Sequence, residues 1–409
     1  MPHAIPHWAI GPFVVLLLGI ATLPLWVPKW WEPNLNKGIF AAAVALPGLG
    51  IVMWLDPHMV PHAASEYISF IILIGSLYVI SGGVVLRATI RPSPIINTSI
   101  LGLGAILASL IGTTGASMVL IRPFLRANQI RGSTRHLPIF FIFIVSNAGG
   151  LLTPVGDPPL FLGYLRGVPF TWTLGLFPQW LMVNATLLAI FFLFEVRANR
   201  GAGITEVPEG SAISVVGLRN LGFLAGVVVS AATLPEVVRE AVTLALAAGS
   251  WLATPKDWRD ENGFTTHPLV EVAVLFAAIF LTMQPALAIL RSEGASLGIE
   301  TPRHFFFVSG LLSSVLDNAP TYLTFFTVGQ AMSAGGAGLV AGVRPDILAA
   351  VSLGSVLMGA NTYIGNGPNF MVRSIAEESG FSTPSFFGYM VWSAAILGPL
   401  WLIIGFLVL

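Results

Sequence analysis

The chain has 409 residues, of which 55% are hydrophobic and only 9% charged, with no cysteine and a formal net charge of zero. Its mean hydropathy is +0.83. Soluble domains carry roughly a quarter charged residues, so this composition excludes a soluble enzyme and describes a polytopic membrane protein. Without cysteine it has no disulfide framework, thiolate nucleophile or thiolate metal site. The nineteen basic and nineteen acidic groups are informative only through their placement.

At about 20 apolar residues per crossing, spans are expected at 8–28, 38–55, 66–86, 138–165, 174–195, 220–235, 237–253, 269–290, 346–375 and 386–408. No Lys or Arg precedes the first apolar run in MPHAIPHWAIGPFVVLLLG, which reads as a permanent span and not a cleaved signal. Two further stretches, 95–127 and 305–331, are interrupted at GTTG (112–115) and DNAP (317–320). Each is too long for one straight span and is expected to be a re-entrant hairpin. Irregular backbone at such depth is tolerated only where protein or water surrounds it.

With both termini on one face, fourteen of the nineteen basic residues fall on the other, Arg87, Arg122, Arg126, Arg131, Arg135 and Arg259 among them. The positive-inside rule places that face in the cytoplasm and both termini outside.

The two halves match. Glu66 opens the third span and Glu271 its partner, 205 residues on, and the hairpins align at an offset of 204. TPVGDPPLF (153–161) aligns with TYIGNGPNF (362–370) at 209. Five crossings and a hairpin per half force opposite orientations. The expected fold is therefore an all-α integral membrane protein of two inverted repeats with broken helices, the architecture of secondary transporters. Residues 1–199 form the first repeat, 200–219 a cytoplasmic linker and 220–409 the second repeat.

The chemistry concentrates in the interruptions. In SNAGGLLTPVGDPPLF (146–161), Pro154, Pro158 and Pro159 remove amide donors, while Gly149, Gly150 and Gly156 loosen the backbone. Two half-helices should flank an extended segment whose freed carbonyls, with Ser, Thr and Asn oxygens, form a cage for an alkali cation. Ionisable residues at depth are functional candidates. Asp317, at the second hairpin tip, is the leading one and Asp157, in the first break, the next; no Lys or Arg lies within either segment. In a low-dielectric site an unpaired carboxylate takes up a proton or a cation, the minimal device for cation/proton exchange. Asn366 stands where the first half has Asp157, so the site is asymmetric in charge. Glu66 and Glu271 read as interfacial carboxylates at span starts, Arg122 to Arg135 as an orientation signal, and the seven histidines receive no role.

SNAGG followed by GDPP, LDNAPTYLTFF (316–326) and MGANTYIGNGPNFMV (358–372) resemble the ion transporter superfamily. The closest likeness is to a bacterial branch of NhaD-type sodium/proton antiporters and citrate transporters. The resemblance implies a scaffold, a moving domain of hairpins and broken helices, and an elevator motion in a homodimer. It also implies sodium near the hairpin tips, at Ser146, Asn147, Thr113 and Thr114 in one half and at Asp317, Asn318, Asn361 and Thr362 in the other. The Ser-Asn-Thr signature of dicarboxylate carriers is only partly present, as SNA at 146–148 and ANT at 360–362.

Because the deep ionisable groups are acidic, the favoured expectation is a sodium (or other monovalent cation)/proton antiporter. The alternative is a sodium- or proton-coupled citrate or dicarboxylate transporter. An intramembrane aspartyl protease needs Gly-x-Gly-Asp, whereas this chain reads Pro154-Val155-Gly156-Asp157, so no enzyme activity is expected. Nor is a cofactor. The expected partners are small ions or a small anion, the bilayer of the inner (plasma) membrane and a second copy, not nucleic acid.

Overall fold

The computed structural model describes residues 5–89, 92–129, 131–199 and 212–409, so the expected linker lies outside the described residues up to residue 211. The first half contains α1 (Gly11–Trp26), a short α2 (Pro28–Trp31), α3 (Asn34–Leu55), α4 (Met59–Ser81), β1 (Val85–Thr89), α5 (Pro94–Ile111), α6 (Thr113–Asn128), α7 (His136–Ile144), α8 (Pro158–Leu165) and α9 (Phe177–Asn199). The second contains β2 (Ala212–Val216), α10 (Arg219–Thr233), α11 (Glu236–Ala253), a short α12 (Lys256–Glu261), α13 (His267–Thr282), α14 (Gln284–Glu293), α15 (Pro302–Ser313), α16 (Asn318–Met332), α17 (Pro345–Leu357), α18 (Gly367–Glu378) and α19 (Phe386–Ile403). Apart from the short helices and α14, the halves run through the same order of elements: three helices, a helix pair, a helix broken by a 3₁₀ turn and a closing helix.

Several starts are written locally. Pro94 and Pro302 occupy first-turn positions whose amides have no helical partner. Before them, the Ser93 and Thr301 hydroxyls accept from the Ile96 and His304 amides at 3.2 Å, the usual N-cap device. The third span departs from expectation. Its helix ends at Ser81 because Gly82 and Gly83 follow, and the β-branched run after them forms β1. That strand pairs antiparallel with β2, Val85 opposite Val216 and Thr89 opposite Ala212, so the end of the linker is ordered structure.

Among the described residues, six helices are long and apolar enough to cross a bilayer, or seven with the pair α13–α14, bent by 43°. The ten expected spans exceed this because two are broken and others are short or, like α11 with Glu236, Arg239 and Glu240, charged. Conversely α5, expected as one arm of a hairpin, has 18 residues and extends about 27 Å, enough to cross alone. Gly112 separates it from α6, against which it packs.

Packing sorts the helices into two groups, each drawing on both halves. α1, α3, α4, α10, α11 and α13 pack on one another as a frame. The pairs α5–α6 and α15–α16, the broken spans and α9 pack together as a core, with α14 leaning on α16. Every residue of α7 is buried, as is nearly all of α17, as expected for helices apolar on all sides. The leading arms of the two broken spans are thus innermost.

At one end of the core, Glu195 on α9 is fully buried. Arg131 Nη1 donates to its carboxylate at 2.8 and 2.9 Å, His136 Nε2 lies 2.6 Å away, and Asn97 donates at 2.7 Å. Arg131 is thus more than an orientation signal and His136 does have a role. Together they tie α5, α7 and α9 through a charge that would be costly to bury alone.

Candidate functional site

The two breaks share one local structure. In the first, a 3₁₀ turn (Ala148–Leu152) leads to extended Thr153 (φ −139°, ψ 155°) and extended Asp157 (φ −145°, ψ 142°). In the second, Met358–Asn361 leads to Thr362 (φ −138°, ψ 167°) and Asn366 (φ −152°, ψ 138°). The glycines are fixed by close backbone approach. A Cβ on Gly156 would lie 2.2 Å from Gly150 O, and one on Gly365 would lie 2.5 Å from Gly359 O. Each break is anchored to its helix pair by a threonine hydroxyl, Thr153 to Ser109 O and Thr362 to Ser314 O.

The closing helices hold the turns from matched positions. Trp180 Nε1 donates to Gly149 O at 3.1 Å and Asn184 Nδ2 to Ala148 O at 3.4 Å. At the positions 209 residues further on, Tyr389 Oη donates to Ala360 O at 2.8 Å and Ser393 Oγ to Asn361 O at 2.7 Å. Several of the carbonyls expected from sequence to line a cavity thus accept from side chains or amides. Gly156 O accepts from the Thr113 amide at 2.8 Å. Asn369 Nδ2 takes Gly359 O and Thr362 O at 2.8 and 2.9 Å. Buried backbone acceptors find partners, here from within the break through Asn369 and from other segments through Thr113, Trp180 and Tyr389.

The carboxylate of Asp157 is left at the centre, only 1% exposed. Thr113 Oγ1 donates to its Oδ1 at 2.9 Å, Asn366 Nδ2 to Oδ1 at 3.3 Å and Asn318 Nδ2 to Oδ2 at 2.5 Å. Among the described residues no basic side chain pairs with it. Its availability follows from the next two residues. An N-cap carboxylate normally takes an amide of the first turn, but Pro158 and Pro159 have none near the cap, and the Asp157 side chain makes no cap bond. Asp317 differs, because its Oδ1 accepts from the Ala319 amide at 3.1 Å and caps α16. The two acids are thus placed differently: Asp157 is inside the hydrogen-bonded cluster, and Asp317 caps the helix that delivers Asn318.

The other candidates divide in the same way. Asn147 is in the network: its Oδ1 accepts from Asn366 at 3.2 Å and its Nδ2 donates to Asn369 Oδ1 at 2.7 Å. Ser146 contributes its carbonyl to Asn366 at 3.0 Å, while its hydroxyl lies 3.0 Å from Ser117. Thr114 and Thr113 line a cleft of about 30 Å³ with Gly112, Asp157 and α4 residues Ile74 and Leu77. That volume admits a water-sized guest. Asn361 points elsewhere, donating to Ser314 Oγ at 2.8 Å and accepting from Trp401 Nε1 at 2.9 Å. Thr362 is consumed by its own turn. Asn369 escaped the sequence reading because its repeat counterpart is Leu160. Asn318 keeps a buried Oδ1 without a partner among the described residues.

Four helices, α6, α8, α16 and α18, begin at this cluster, at Thr113, Pro158, Asn318 and Gly367. Each N-terminus carries roughly half a positive charge and is suited to anions. The cluster therefore combines a buried carboxylate, neutral amides and hydroxyls, and converging positive helix ends.

No curated protein matches the chain. Over residues 2–409 it matches the family described as "Putative citrate transport". This predominantly helical membrane protein with several apolar, membrane-length helices belongs to that transporter family.

Proposed function

We propose that the chain is a secondary transporter carrying a citrate-like polycarboxylate together with a proton or sodium ion loaded at Asp157. The observation that carries this reading is the convergence of four helix N-termini on a buried carboxylate held only by neutral donors. An anion would be repelled while Asp157 is charged. A cation on that carboxylate cancels the repulsion and leaves the positive helix ends to receive the anion. Cation and anion then favour each other's binding, which is coupling in thermodynamic terms. Asn318, Asn366, Thr113 and Asn147 orient the acid, and Asp317 adds a second carboxylate beside it. In this reading the halves are inverted repeats, the helix pairs are re-entrant, the core moves against the frame, and the termini lie outside the plasma membrane.

An acid-centred site without basic side chains would also serve sodium/proton antiport, and one assay separates the two. In proteoliposomes with an imposed sodium or pH gradient, labelled citrate is taken up by the wild type and not by Asp157→Asn. Proton movement driven by sodium alone, with no citrate uptake under either gradient, replaces this reading with antiport.

A further inference from the structure

The helix that begins at Asp157 ends at a second charged contact. Arg166, directly after α8, grips Glu66 of α4 in a bidentate pair: Nη2 donates to Oε2 at 3.0 Å and Nε donates to Oε1. The side chains are only 9% and 10% exposed. Exposed His62 lies 3.5 Å from the same carboxylate. Two residues back, on α8, Tyr164 places its ring 5.5 Å from the Arg239 guanidinium of α11. Glu66 is thus not at a span start but well inside α4, and its partner belongs to the core. Among the described residues, this is the buried ion pair that joins frame to core.

The repeat makes its position informative. The residue 209 beyond Arg166 is Ile375, which carries no charge. The counterpart of Glu66, Glu271, pairs instead with Lys37 of α3 at 2.7 Å, within the frame. A contact present in one half only distinguishes two states that exchange the roles of the halves. We infer that Glu66 and Arg166 form a conformational tie, which holds the Asp157-bearing helix against α4 in the conformation described here and opens whenever the core shifts against the frame. The movement itself rests on the transport reading above.

The absence of native cysteine permits a direct test. A single reporter, Ile74→Cys, placed in the cleft beside Thr113, is labelled with a maleimide in proteoliposomes without substrate. Glu66→Gln and Arg166→Gln should each change the labelling rate at least about threefold in the same direction, and the charge swap E66R/R166E should return it towards wild type. Separately, Glu66→Cys/Arg166→Cys bridged by a bifunctional thiosulfonate should lose citrate flux and regain it on reduction. Unchanged labelling in both neutral variants, a swap that labels like them, or full flux in the bridged protein overturns the tie. If a neutral variant does not fold, the bridged protein still decides. Labelling requires no substrate, so a tie that holds while wild-type citrate uptake is absent rejects the citrate reading alone.

Discussion

The breaks at 153–161 and 362–370 are nearly the same piece of backbone put to different uses. Both place a 3₁₀ turn, an anchoring threonine, a crowded glycine and an extended cap residue in the same order. The first ends in Asp157, which the cluster surrounds with donors. The second ends in Asn366, one of those donors. A symmetric scaffold thereby presents an asymmetric charge. The side chain, and not the backbone, decides which break carries an acid and which donates a hydrogen bond to it.

The largest expected effect comes from removing that asymmetry. Asp157→Asn makes both breaks neutral and should lower cation-coupled flux about 100-fold, or about 2.7 kcal/mol in barrier. The exchange Asp157→Asn with Asn366→Asp moves the acid to the other break and should recover part of the loss. Flux in proteoliposomes checks both, and equal inactivity of the single and double variants would show that the breaks are not interchangeable.

Backbone crowding should come next and affect both breaks alike. Gly156→Ala and Gly365→Ala each force a Cβ into a carbonyl oxygen, at about 1–3 kcal/mol. Gly367→Ala, with nothing within 4 Å, should be neutral or stabilising by about 0.5 kcal/mol. Thermal unfolding in detergent reads all three. The closing helices allow a finer comparison. Tyr389→Phe and Ser393→Ala each release a turn carbonyl in the second break, and each should cost about 1 kcal/mol by the same measurement.

The smallest effect lies away from both breaks. Hydrogen bonds and charge from the Arg87 guanidinium hold the Glu261 carboxyl below the usual carboxylate range. Its contribution to stability is present above the unfolded value of about 4.3 and fades as pH falls through the lower folded value. Arg87→Ala should lower stability only slightly, because exposed ion pairs are screened by solvent, remove that pH dependence from detergent melting curves, and leave both breaks unaffected.

Much of the helix order was legible because apolar length and the Pro/Gly interruptions are local signals. GTTG, GDPP, DNAP and GNGP are all breaks in the structure. Asp157 was legible as a candidate for the same reason. Its precedence over Asp317 was harder to see, because capping depends on which neighbouring amides exist and where they point. The Asn369 contacts, the buried Glu195 cluster and the donors from α9 and α19 were not legible. Apart from the two carbonyls that Asn369 takes 10 and 7 residues back, their partners lie mostly tens to hundreds of residues away, and no local pattern marks a side chain that satisfies a distant carbonyl.

By itself the sequence determined that this chain is a membrane protein with paired interruptions and a single acid set against an asparagine. Hydrophobic length and missing amides act within a few residues. Tertiary structure alone decided that the breaks meet, that distant side chains take several of their carbonyls, that four helix N-termini converge on Asp157, and that Arg166 reaches Glu66. These depend on which buried polar groups find partners once distant segments pack, and in a low-dielectric interior that requirement admits few arrangements.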